Sequence, residues 1–263
     1  MSKYVVVVFP DESKAYEGRN AFNALHAEGS LTLYGIAVIA KNAEGKASIK
    51  ESVDEGPVGM ALGMLTGGLI GALAGPAGLM LGTAGGGLLG SLGDLDHVGV
   101  GLDFLEVVGN KMEPGTAAVV TEVDEYWTAP LDTRMEALGG EVHRRPRIDF
   151  EDEQFAQEVQ AWNDEMDELD AEMQEASDEM KAKIKAKKEA LGKKIADAME
   201  KGGQRIIQLE NELHAKVAKL EEQVADAEAE VKEKMEKRVV EVKANYKARM
   251  DKIYKARMER AMS

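Results

Sequence analysis

From Gly56 to Gly93, thirty-eight consecutive residues carry no charge, and fourteen of them are glycine. The glycines are periodic. Gly59, Gly63, Gly67, Gly71 and Gly75 recur every four residues, and after Pro76 so do Gly78, Gly82, Gly86 and Gly90. A four-residue period places them on one face of a helix. A face without side chains lets a second helix approach to backbone contact, as in packed membrane helices. Pro76 divides the segment into stretches 57–74 and 77–93, each about 26 Å long as a helix and just short of a hydrocarbon core. The spacing therefore predicts a helical hairpin over 56–97 whose two ends emerge on one side. Two settings stay open for it. In a bilayer it would meet lipid, but its flanks are acidic (Glu51, Asp54, Glu55, Asp94, Asp96), where the positive-inside rule favours Lys and Arg. In water, hairpins of several copies would pack glycine face to glycine face. A lone chain exposing such a surface exceeds the apolar patch of ordinary monomers. The expected partner is thus a second copy, up to a large homo-oligomer, with membrane lipid as the other setting.

The hairpin interrupts a small α/β unit, residues 1–55 and 98–145. Val5-Val6-Val7-Val8-Phe9 is a β-branched run stopped by Pro10 and reads as a buried strand. Asp11 or Ser13 can cap the helix that follows. Leu31–Ala40 and Ala47–Ser52 read as strands joined by a turn around Gly45. Further on come a helix over 102–112, a strand over 116–123, a helix over 126–138 and a strand over 140–144. This βαββ…αβαβ order predicts an α+β fold with a ferredoxin-like sheet.

Beyond Pro146 the chain has no proline, and glycine only at Gly192, Gly202 and Gly203. Apolar residues then follow a heptad seam: Phe155, Val159, Trp162, Met166, Leu169, Met173, Ala176 and Met180. A second seam runs from Ile206 to Ile253. The expectation is a coiled-coil arm over 148–263, folded back at Gly202-Gly203 as an antiparallel helical hairpin. That register sets Phe155 against Met250, Trp162 against Val242, Met166 against Val239, Leu169 against Met235 and Met173 against Val231. Charge supports it: the thirteen acids of 151–179 would face the basic residues of 226–254. The alternative is one continuous helix in an intermolecular bundle.

The valine strand, the capped helix, the strand pair, the uncharged glycine hairpin, Glu113-Pro114-Gly115-Thr116-Ala117-Ala118-Val119-Val120 and Leu138-Gly139-Gly140-Glu141-Val142 together resemble a prokaryotic domain family of unknown function over residues 1–145. Its members are described as membrane proteins. The layout is also similar to glycine-zipper general stress proteins. The resemblance implies membrane association or self-assembly and carries no catalytic residue.

The chemistry of the chain is narrow. The net charge of −15 opposes nucleic-acid binding. Without cysteine there is no disulfide, thiolate metal site or cysteine nucleophile. His26, His97, His143 and His214 are scattered and lack a ligand cluster. Gly85–Gly90 matches G-x-G-x-x-G but follows no strand. No cofactor, metal site or catalytic set is expected. The start of the chain lacks a secretory pattern, so the expected location is the cytoplasm or the cytoplasmic face of the inner membrane. The function expected is a non-enzymatic, self-assembling scaffold; the alternative is a stress-related adaptor whose helical tail binds one protein partner.

Overall fold

The computed structural model describes residues 2–53, 57–74, 102–147, 150–227 and 229–261. They form an α+β fold of two compact units. The first joins Met1–Ile148 to Glu212–Lys243, and the second joins Asp149–Asn211 to Ala244–Ser263.

The first unit is built on five strands: β1 Lys3–Phe9, β2 Leu31–Lys41, β3 Ala47–Val53, β4 Ala117–Glu125 and β5 Glu141–Pro146. Their order is β3-β2-β4-β1-β5, antiparallel throughout. With β3 set aside, β2-β4-β1-β5 is the split β-α-β order of a ferredoxin-like sheet. Its two crossovers are α1 Glu12–Ala27 and α4 Ala129–Ala137. Asp11 caps α1 by accepting from the Lys14 amide at 2.8 Å, which satisfies an orphan donor of the first turn.

Side chains alternate along each strand, so the sheet has two faces to cover. One is mostly apolar, with Thr121 and Glu125 as buried polar exceptions. Val5, Val7, Phe9, Leu33, Val38 and Val119 meet Phe22 and Leu25 of α1 and Leu131 and Met135 of α4. The Phe9 ring lies where Gly18 of α1 and Gly140 lack side chains; a Cβ at Gly140 would sit 2.7 Å from both Phe9 and Val7.

The other face is divided. Val6, Val8, Ala37, Ile39, Ala118 and Val120 pack under Leu62, Leu65 and Leu69 of α2 (Pro57–Leu73), together with Phe104, Leu105 and Val108 of α3 (Leu102–Lys111). Farther along the same face the strands turn polar, with Thr32, Tyr34, Glu122 and Asp124. The change on β2 follows a register shift between Leu33 and Gly35. Here the cover is polar too: Lys216 and Gln223 of α6 (Asp178–Asp226) and Arg238 of α7 (Ala229–Ala261).

The second unit contains α5 (Phe150–Glu175) and the remaining parts of α6 and α7. Two sequence expectations are corrected here. Gly202-Gly203 is no turn, because α6 runs through it without interruption from Asp178 to Asp226. Two glycines cost a helix about 1 kcal/mol each, and packing offsets that cost. A Cβ on Gly202 would fall 2.5 Å from Cζ of Phe155, so the ring of α5 rests on bare backbone. The chain reverses instead at Ala176-Ser177, where the Ser177 carbonyl accepts from Lys181 N at 2.8 Å, and again between Asp226 and Ala229. Asp178 and Glu179 stand in the first turn of α6, where the helix dipole favours negative charge. The register changes accordingly. Met166 and Leu169 cluster with Ile184, Leu191 and Ile195, not with Val239 and Met235, and Phe155 lies with Ala198 and Ala256 rather than Met250. The second correction concerns the arm, which is not a separate domain: Glu212–Lys243 belongs to the sheet unit.

The two glycines of α6 should respond oppositely to alanine. The nearest atoms to a Cβ at position 203 belong to the Arg257 guanidinium, the far end of a flexible side chain, 3.3 Å away. Gly203→Ala should therefore stabilise by up to about 1 kcal/mol. Gly202→Ala gains the same propensity but must displace the Phe155 ring, and should destabilise. Thermal unfolding of the two variants checks the contrast; equal shifts would contradict it.

Candidate functional site

The glycine row is visible in its first half only. Gly59, Gly63, Gly67 and Gly71 lie in α2, whereas Gly75, Gly78, Gly82, Gly86 and Gly90 lie outside the described residues. The leucines of α2 anchor it. Leu62, Leu65 and Leu69 recur at three- and four-residue steps and are fully buried against the sheet. Gly71 is buried and Gly67 half-buried, but Gly63 is exposed. A Cβ at Gly63 would meet nothing within 4 Å. No described helix is long and apolar enough to cross a membrane.

The tail residues singled out by the heptad pattern face inward, except Met180, which is exposed. Met166, Leu169 and Met235 are buried, and Phe155, Trp162, Met173, Val231, Val239, Val242 and Met250 are half-buried. Val231 does not meet Met173. It packs on Gly29, whose φ of +71° already requires glycine.

The polar half of the sheet face holds a charged cluster that the sequence reading missed. Glu122 is completely buried. It accepts from Lys216 Nζ at 2.5 Å and from Arg147 Nη1 at 3.0 Å. Arg147 also donates to Glu212. The Lys216 ammonium lies 4.5 Å from the centroid of the Tyr34 ring and 3.1 Å from Ser2 Oγ. Burial works against ionisation of Glu122, yet the charges of Lys216 and Arg147 overcome it and hold the carboxyl down at about 2. The neighbouring Tyr4 phenol is pushed far above its ordinary range, chiefly by burial. Next to this cluster, Gln223 donates to the carbonyls of His26 and Leu31 and accepts from Thr32 Oγ1 at 2.8 Å. Arg238 donates to the same Thr32 hydroxyl at 3.1 Å and stacks over Tyr126, whose hydroxyl donates to Glu241 at 2.6 Å. The signal was present: Glu212, Lys216, Leu220 and Gln223 share the spacing of an apolar seam, and polar residues at seam positions require buried partners.

This cluster is a fastening. Its carboxylate is held by two cations through Oε1 and closed to solvent, so it has neither the pKa nor the access of a general base. Burial lowers the pKa of His26 and His143. His26 Nδ1 accepts from the Leu33 amide, and His143 lies 3.5 Å from Glu141. Among the described residues no group of three His, Asp or Glu side chains is placed to hold a metal ion. A depression lined by Asp132, Glu136, Glu141 and Arg144 among others is open to solvent, and Arg144 is engaged by Glu125 and Asp132.

Residues 60–160 match the model of a family described as Protein of unknown function (DUF1269). This range overlaps the stretch whose motifs carried the resemblance and includes α2, β4 and β5. No curated protein and no solved structure matches the chain.

Proposed function

We propose that the protein is a non-enzymatic scaffold that assembles with copies of itself through the outer side of α2, in the cytoplasm or at the cytoplasmic face of the inner membrane. One observation carries this reading. α2 has no charged residue over seventeen positions, seats its leucines on the sheet, and leaves Gly63 facing open space. A mid-helix glycine costs about 1 kcal/mol relative to alanine, and no described residue of the unit comes near enough to require one there. A helix of a second copy, approaching to backbone contact, does require it. Bilayer lipid is the competing occupant of the same side.

Substituting Gly67 or Gly71 would disturb a helix face that is already covered, so Gly63→Leu is the sharper test. Purified without detergent, the native chain should sediment as an oligomer. Gly63→Leu should shift it to smaller species while its circular dichroism is unchanged. An unchanged particle size would remove this face as the contact. Flotation of the native chain with vesicles, retained or strengthened in Gly63→Leu because leucine adds apolar area, would assign the face to lipid instead. The adaptor reading, with a partner held by the helical tail, predicts a small particle that grows only when that partner is added.

A further inference from the structure

We infer that the two-helix finger formed by α5 and the first part of α6 is a second self-association surface, whose acidic edge docks on the basic edge of another copy. Within the second unit these helices run side by side over the seam of Met166, Leu169, Ile184 and Leu191. Their charges are segregated. α5 carries eleven Asp and Glu and no Lys or Arg, while residues 181–194 of α6 carry seven Lys and one Glu. Only part of this charge is used within the finger. Lys187 reaches Glu165 at 2.8 Å, and Lys188 pairs with Asp170. Lys181, Lys185, Lys193 and Lys194 are exposed and form no ion pair with a described residue. On α5, Asp164, Glu168, Glu172 and Glu175 are exposed in consecutive turns. Like charges three and four residues apart destabilise a helix by a few tenths of a kcal/mol per pair. A facing row of cations relieves that repulsion.

The occupant follows from the charge pattern. One element bears acids along one helix and lysines along the other, so a two-fold axis can set the acidic helix of each copy against the basic helix of the other, in a self-complementary contact. Half-buried Met173 and Ala176 and half-exposed Met180 lie toward the tip, where they supply adaptable apolar area. Elsewhere the chain's net charge of −15 keeps copies apart, so this local pairing sets the orientation of approach. The contact is distinct from that proposed for α2 and does not depend on it.

The test uses the full chain carrying Gly63→Leu, so that α2 does not contribute. Sedimentation equilibrium should still show a dimer, with a Kd that rises at least about tenfold from 0.1 M to 1 M NaCl as screening shortens. Lys181→Glu/Lys185→Glu and Glu168→Lys/Glu172→Lys should each be monomeric, and an equimolar mixture of the two should recover the dimer. These positions are exposed, and circular dichroism checks that both variants fold. A Gly63→Leu chain that stays monomeric at all concentrations overturns the inference and leaves the α2 reading standing. So does dimerisation of both variants at the native strength, or a mixture that fails to associate.

Discussion

Removing the Glu122 carboxylate should cost the sheet unit about 3–5 kcal/mol, the scale of breaking a buried ion pair from one side. Glu122→Leu leaves the Lys216 ammonium beneath the sheet without its carboxylate, and Arg147 with Glu212 alone. Residues 212–243 should then lose protection from amide exchange, because their polar side chains meet the sheet at this point. Adding Lys216→Met should recover part of the loss, since replacing both partners with apolar groups is far less costly than orphaning one. The acid limb follows from the same cluster. The folded carboxyl, at about 2, lies below its ordinary value of 4.5. Its contribution is therefore complete above about pH 4.5 and is lost as pH falls from there toward 2. Urea unfolding followed across this window should show a shallower pH dependence in Glu122→Gln than in the native chain. Equal slopes, or a loss below 1 kcal/mol at neutral pH, would mean that the cluster does not fasten the helices.

Phe9→Ala should be comparably severe, at about 3–5 kcal/mol. The ring is 1% exposed and fills space that Gly18 and Gly140 leave on either side of it. Gly18→Leu alone should also destabilise, because its first side-chain carbon would already collide with the ring. Combined, the changes should be less damaging than their sum, as the leucine enters the vacated volume. A double-mutant cycle on urea midpoints should return a coupling of at least about 1 kcal/mol. Additive losses would show that Phe9 and Gly18 do not share the space.

The sheet unit was largely legible in the sequence because each of its elements carries a local mark. Valine runs, the Asp11 cap and the turn glycines with positive φ at Gly45 and Gly115 bound the strands within two residues, whereas the helix expected from 126 begins only at Ala129. The inward face of the tail was legible too, since a heptad seam fixes which side of a helix is buried. The pairing was not. Seams of similar period align in several registers, and Gly202-Gly203 looked like the break because helix propensity counts against glycine. The structure places the reversals at Ser177, a capping residue without glycine, and after Asp226, where no breaker stands. Charge complementarity holds with divided partners: Asp152 of α5 does meet a basic residue of α7, Arg249, at 2.6 Å, whereas Glu165 and Asp170 meet Lys187 and Lys188 of α6. Glu122 was passed over because one acid in an otherwise apolar strand has no visible partner until residue 216 is brought to it.

That long separation has a consequence for biosynthesis. Glu122 and Lys216 are 94 positions apart, and at 5–20 residues per second a ribosome needs on the order of 5–20 s to travel between them. Over that interval Arg147, 25 positions from Glu122, is the cation already made, and Lys216 completes the cluster only when the last third of the polypeptide arrives.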